Sequence, residues 1–377
     1  MHPDFIELST TLRNDYLLKT EALFADQQQL WFTAFTKHFQ SICAEIVQLQ
    51  NESSLQAISR IEYNMLYTNF VDRRYVAEVW VYGDMLYLDE SQRMIGEYDI
   101  SFLFVYFSEL WDKLLSARKR YVGKVAAQEV ASFMLQTLPD FYSYLANIAR
   151  RAIVELFDKQ PFTDIIKNGA FKISVGDYMA YTTPVYIESK NKDIKVLHKH
   201  LKKRLEIGYT FQDYSGLDYS GCSFTYTDFS YSQFRHSRLI NMSIEGSILI
   251  GASFYKAHME NCCLNNCSIY ETDFTHTILR NASFINARGR AGLPNDKEWR
   301  HVGFLPVCFR HADLTNADFT GANLTGADFT DAILDGVDFT YAILDGAIFS
   351  DGVDSCYQSR ANDVEAPKNN YINAFFG

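Results

Sequence analysis

The chain has 377 residues, more than one compact domain ordinarily holds, so two or more units are expected. An apolar share of 47% can bury a core, and a net charge of −11 argues against phosphate-backbone binding by the whole chain, leaving basic partners or local basic patches. Seven cysteines, an odd number without CxxC-type spacing, read as reduced core filler.

Acidic residues interrupt the apolar ones in residues 1–20, so no secretory signal is read there. The most apolar run, residues 100–110, is shorter than the ~20 residues a membrane span needs. A cytoplasmic protein without a membrane segment is therefore expected. GxSxG, HExxH, P-loop and Rossmann glycine patterns are missing, so neither catalysis nor a cofactor or metal is expected.

Residues 1–205 read as a mainly helical, aromatic-rich domain with short β-hairpins. Asp26 caps a helix over 26–50 whose face carries Leu30, Phe35, Phe39, Ile46 and Leu49. Ser53 caps a second helix carrying Leu55, Ile58, Ile61, Met65 and Phe70. Gly83-Asp84 between β-prone runs marks a hairpin over 79–88. A long helix starts at Asp99 or Ser101 and reaches about Tyr121. Helices over 124–138 and 141–158 are split at Pro139. A second hairpin over 171–187 turns at Gly176-Asp177. The last helix, 193–205, has an apolar stripe and a basic face, suited to capping the C-terminal half or coupling the two halves.

From Phe309 to Phe349 a bulky residue returns every five: Phe309, Leu314, Phe319, Leu324, Phe329, Leu334, Phe339, Leu344 and Phe349. A small residue, mostly alanine, stands two places before each. The same phase runs from Phe224 to Phe284 with poorer spelling, giving twenty-two units in all. Neither a helix nor a flat strand has a period of five, so the chain must turn once per repeat. The large residue fills the interior and the small one tolerates close approach.

These units resemble the pentapeptide-repeat family, whose motif is A(D/N)Lxx. The resemblance covers residues 206–350 and implies a right-handed quadrilateral β-helix with four pentapeptides per coil. Twenty-two units would make about five and a half coils, a rod roughly 25 Å long at the ~4.8 Å sheet spacing. Residues twenty apart would stack, placing Phe234, Phe254 and Phe274 in one ladder.

The exterior offers contact candidates. His236, Lys256 and His276, twenty apart, line one column able to take an anion or carboxylate. Asp318, Asp328 and Asp338 belong to an acidic surface. Residues 286–302 break the repeat, as a projecting loop or one degenerate coil, with Val302 and Phe304 able to resume it. This segment concentrates Arg288, Arg290, Trp299 and Arg300, a contact chemistry. Residues 351–377 form a C-terminal tail.

The expected function is a non-catalytic adaptor or accessory factor that binds a protein or peptide, not nucleic acid; a homodimer stays open. Two other readings stand beside it. Likeness to the quinolone-resistance branch of the family implies DNA mimicry that protects a topoisomerase. An enzyme in the N-terminal half is the other.

Overall fold

A computed structural model describes residues 2–83, 92–157, 159–188, 209–291 and 305–350. The chain divides into two compact units at residue 191/192.

The N-terminal unit starts with α1, Pro3–Asn51, a single 49-residue helix. Proline at its start lacks the N–H that would go unpaired there anyway. The helix thus begins well before the expected Asp26. Its buried stripe holds Trp31, Phe32, Phe35 and Phe39, whereas Leu30 is 63% exposed. Ser53 is no N-cap: it adopts a left-handed conformation with φ 58°. The Ser54 and Leu55 amides then return to the Leu49 carbonyl, ending α1.

The expected second helix is instead β1, Ile58–Met65, with only α2, Tyr67–Val71, helical. Both periods fit its apolar residues, but Ile61, Tyr63 and Met65 alternate with polar Glu62 and Asn64, and pairing on both sides decides for a strand. β2, Val76–Tyr82, pairs antiparallel with β1 and with β3, Arg93–Asp99. The first hairpin therefore exists, but its second arm lies beyond the expected Met85–Leu88, and residues 84–91 are outside the described set. A short 3₁₀ turn at Ser101–Leu103 leads into α3, Val105–Ala117. Next come α4, Ala127–Gln136, and α5, Leu138–Leu156, which opens with Pro139 in its first turn. β4, Lys167–Asp177, pairs with β5, Thr182–Glu188, so Gly176 and Asp177 end the strand and the turn comes after them.

The two hairpins are not separate features. They join in one five-stranded sheet of order β3-β2-β1-β4-β5, with β1 and β4 parallel. One face of it meets α1, whose Phe35 ring lies 5.2 Å from that of Tyr63. Phe24 packs on Tyr144 of α5 at 5.0 Å, and Arg13 bridges to Asp140. The expected helix at 193–205 falls outside the described residues.

The C-terminal unit is a β-helix solenoid. Isolated parallel bridges recur every five residues and join residues twenty apart, from Asp213↔Gln233 onward, so a coil takes four pentapeptides. Each bulky residue points inward: Phe234, Phe254, Phe274, Phe309, Phe329 and Phe349 stack with centroids 4.9–5.1 Å apart and planes within 9°. Tyr214 and Tyr219, both 0% exposed, occupy two such positions ahead of Phe224. The small position also bonds: Ser237, Thr272 and Thr277 hydroxyls donate to the carbonyls of Tyr214, Leu249 and Phe254 one coil back. Cys262 and Cys267 do likewise toward Leu239 and Ile244, and burial pushes both thiols up to about 12.

Two places after each inward residue the backbone turns left-handed, and asparagine or glycine often stands there, as at Asn241, Gly246, Asn261 and Gly321. Asn261 donates to Asn241 at 3.1 Å, Asn281 to Asn261 at 3.1 Å, and Asn316 to Asn281 at 3.4 Å, a side-chain ladder along one corner.

Across the break, bridges such as Asp273↔Cys308 and Arg288↔Asn323 span 35 residues instead of 20. Fifteen residues are thus inserted into one coil whose wall remains closed. The excursion begins later than residue 286: Ala287 is buried, Arg288 is a bridged wall residue, and Gly289 holds an inward position between Ile269 and Leu324. The Val307 amide donates to the Gly289 carbonyl at 2.9 Å, the bond that the third residue after an inward position makes elsewhere. Ala291 and Leu305 both belong to the wall, the Ala291 amide donating to the Thr325 carbonyl and the Leu305 carbonyl accepting from the Glu271 amide, and residues 292–304 between them are outside the described set.

Candidate protein-interaction surface

The exposed residues of the solenoid are set by the left-handed corners. His236, Lys256 and His276 sit at such corners with φ of 57°, 56° and 57°, all exposed. The backbone ladder fixes their spacing: amides of His236, Lys256 and His276 donate to the carbonyls of Tyr255, Thr275 and Arg310. The structure therefore brings the three expected residues into one column. It adds a fourth, His311, whose ring stacks on His276 at 4.6 Å and 8°. Counting in twenties missed it because the insertion makes the step 35.

Tyr255 stands edge-on to both His236 and His276, each at 5.8 Å, and Lys256 Nζ lies 5.1 Å from its ring. Arg235 and Arg310 occupy the adjoining positions. At the C-terminal end of the column His311 Nδ1 is 3.5 Å from Asp331, and Arg310 is 3.8 Å from Asp328. The result is a basic and aromatic edge on a solenoid that is otherwise rich in carboxylates.

The acidic residues have a local task. Asp318 Oδ1 accepts the Thr320 amide at 2.8 Å. Asp328 and Asp338 each accept an amide and a hydroxyl, from Thr330 and Thr340, the hydroxyls at 2.6 Å. Each carboxylate thereby caps its own turn. The Thr340 hydroxyl and amide hold Asp338 below the usual carboxylate range. They do not form one strip: Asp318 bridges Asp338, while Asp328 bridges Cys308 and Ile348 on another side.

Arg288 donates to Ser268 Oγ at 3.1 Å across neighbouring coils, and Arg290 reaches the Ala291 carbonyl at 3.3 Å. Trp299 and Arg300, like Val302 and Phe304, lie outside the described residues. No described helix is long and apolar enough to cross a membrane.

The family model for pentapeptide repeats matches in eight copies, over residues 232–269 and 312–351. Among solved structures, the chain is similar to a pentapeptide repeat protein, Rfr23, from the cyanobacterium Cyanothece 51142, at 18% identity; the match covers 41% of this chain and 96% of that one, with a TM-score of 0.16. It is also similar to a pentapeptide repeat protein of the Arabidopsis thaliana thylakoid lumen, at 28% identity over 29% of this chain and 66% of that one, TM-score 0.16. A third is QnrB1, described as a plasmid-mediated fluoroquinolone resistance protein, at 18% identity over 38% of this chain and 75% of that one, TM-score 0.17. No curated protein matches. With bridges every five residues and the repeat model matching residues 232–269 and 312–351, the chain is a pentapeptide-repeat protein with its solenoid in the C-terminal region.

Proposed function

We propose that the protein is a non-catalytic adaptor or accessory factor in the cytoplasm whose right-handed, four-sided solenoid presents its basic edge to an acidic segment of a partner protein. The observation that carries this reading is the column His236, Lys256, His276 and His311, exposed and held in register by backbone hydrogen bonds. Wall residues such as Ser237, Thr272, Asp318 and Asp338 are engaged in holding coils and turns. His236 and Lys256 are not engaged in this way, whereas His311 at the C-terminal end of the column lies 3.5 Å from Asp331, so the N-terminal part of the edge offers its charge to a partner. Steering by a localised charge acts on association rate and is screened by salt.

The test replaces His236, Lys256, His276 and His311 together by glutamate. All four side chains are exposed, so the melting temperature should stay within a few degrees of the parent. Capture of an acidic protein from a native lysate should be salt-sensitive for the parent and weaker by about tenfold or more for the variant, at ~0.2–1 kcal/mol per charge. Undiminished capture by the variant would remove the edge as the contact.

A further inference from the structure

The sheet of the N-terminal unit has a second face, opposite Ile61, Tyr63 and Met65. There β1 presents Arg60, Glu62 and Asn64. Glu62 stands opposite Trp80 of β2 and Ser174 of β4, and Asn64 opposite Glu78 and Gly176. Glu62, Asn64 and Ser174 are each 0% exposed. The middle strands of a sheet closed on both faces ordinarily carry apolar side chains at such places, because an unpaired polar group there is costly.

Much of this face is internally bonded. Arg60 donates to Glu62 Oε1 at 3.1 Å, and the Trp80 indole N–H to Glu78 Oε2 at 3.0 Å. Asn69 donates to Glu78 Oε1 at 3.3 Å, and Asn64 Nδ2 to the Tyr82 hydroxyl at 3.2 Å. Three buried atoms on adjacent register positions have no hydrogen-bond partner among the described residues: Glu62 Oε2, Asn64 Oδ1 and Ser174 Oγ. The first two only accept hydrogen bonds, and the serine hydroxyl can.

What completes this set must therefore donate, and a primary ammonium carries three N–H donors, matching the three atoms in number and sense. Glu62 and Glu78 stand on this face with Arg60 and Lys172, and burial, then Arg60, lowers the Lys172 pKa. Trp80, stacked with Tyr82 at 6.5 Å and tilted against Tyr178 at 5.6 Å, adds π faces that favour a cation.

We propose that this face of the sheet is a binding site for a small protonated primary amine, held by Glu62, Asn64 and Ser174 beside Trp80. The site is independent of the solenoid edge and adds a small-molecule ligand to a protein read as an adaptor.

Isothermal titration and thermal melting of the full chain test it, with n-butylamine as probe and 1-butanol as the neutral control of equal length. The amine should bind saturably and raise the melting temperature while the alcohol does neither. Glu62→Gln, which keeps the side chain's shape, should weaken amine binding by about tenfold or more, as expected for losing a hydrogen bond between charged groups. Ser174→Ala should weaken it less and serves as the second variant if Glu62→Gln does not fold. A site occupied by water only would show no amine response at millimolar concentration, and that result overturns the proposal. Equal amine binding by the parent and by whichever variant folds would overturn it too.

Discussion

Among single residues, Gly289 and His38 show how packing sets a requirement that composition does not announce. Gly289 stands in a column where large residues are the rule, yet a Cβ there would come within 2.8 Å of Val307 and 2.9 Å of Ile269. Val307, returning from the insertion, fills the space that a large residue holds in other coils. Gly289→Leu should therefore overpack the interior and destabilise by about 1–3 kcal/mol. Adding Val307→Ala should recover part of the loss, since the two side chains compete for one volume. Urea denaturation of the single and double variants checks this; an unchanged midpoint for Gly289→Leu would show that the space is open. His38 lies against Tyr98 at 4.5 Å and Tyr63 at 5.9 Å, and burial lowers its pKa from 6.5 to about 4. In the unfolded chain it takes a proton near the ordinary value, so between about pH 6.5 and pH 4 the unfolded state binds more protons. Stability should fall as pH drops through that window, by on the order of 2 kcal/mol after allowance for partial exposure. His38→Gln should flatten this part of the pH profile relative to the parent. A variant with the same slope as the parent would show that other groups cause it.

For whole elements, legibility depended on how many sites repeat one constraint. The five-residue ladder was readable because dozens of positions obey it, and Phe319 lies where the count places it, stacked between Phe284 at 4.7 Å and Phe339 at 5.4 Å. The left-handed corners were partly written in the Gly and Asn that recur two places after many inward residues, a signal that a count of large residues alone passes over. β1 was misread because Ile58, Ile61 and Met65 also fit a helical face, and the deciding partner β4 lies about a hundred residues away. Glu62 and Asn64 look like solvent residues in the sequence, whereas pairing on both sides buries them at 0% exposure. The same non-local pairing explains why the polar sheet face was invisible, while His236, Lys256 and His276 could be aligned by counting. His311 escaped because one insertion changes the step.

At the scale of the whole solenoid, stability is passed from coil to coil, so an insertion is tolerated only if the chain returns in phase. The ends of the excursion meet this condition twice over. Ala291 donates to Thr325, and both Ala291 and Pro306 approach Gly326, at 3.2 and 3.6 Å from a Cβ placed there. Val307 already makes the bond to Gly289 that an uninterrupted repeat would make. Removing residues 292–306 would join Ala291 to Val307 and leave Phe309 five places after Gly289, so every later inward residue keeps its side. This in-phase deletion should fold, with a melting temperature within a few degrees of the parent, because it keeps the described wall bonds from Val307 onward in register and shortening a connection changes closure entropy little. Removing only residues 292–305 leaves one residue too many in the turn. Phe309 and the residues after it must then bulge the wall or rotate out of register, and unfolding of the coils beyond Phe309 should appear as a large loss of thermal stability. A deletion of 288–300 is worse still, since it takes the bridged Arg288 and the inward Gly289 with it. Circular dichroism melts of the fifteen- and fourteen-residue deletions decide the matter. Equal stability of the two would mean that phase is not what holds the solenoid together across the insertion.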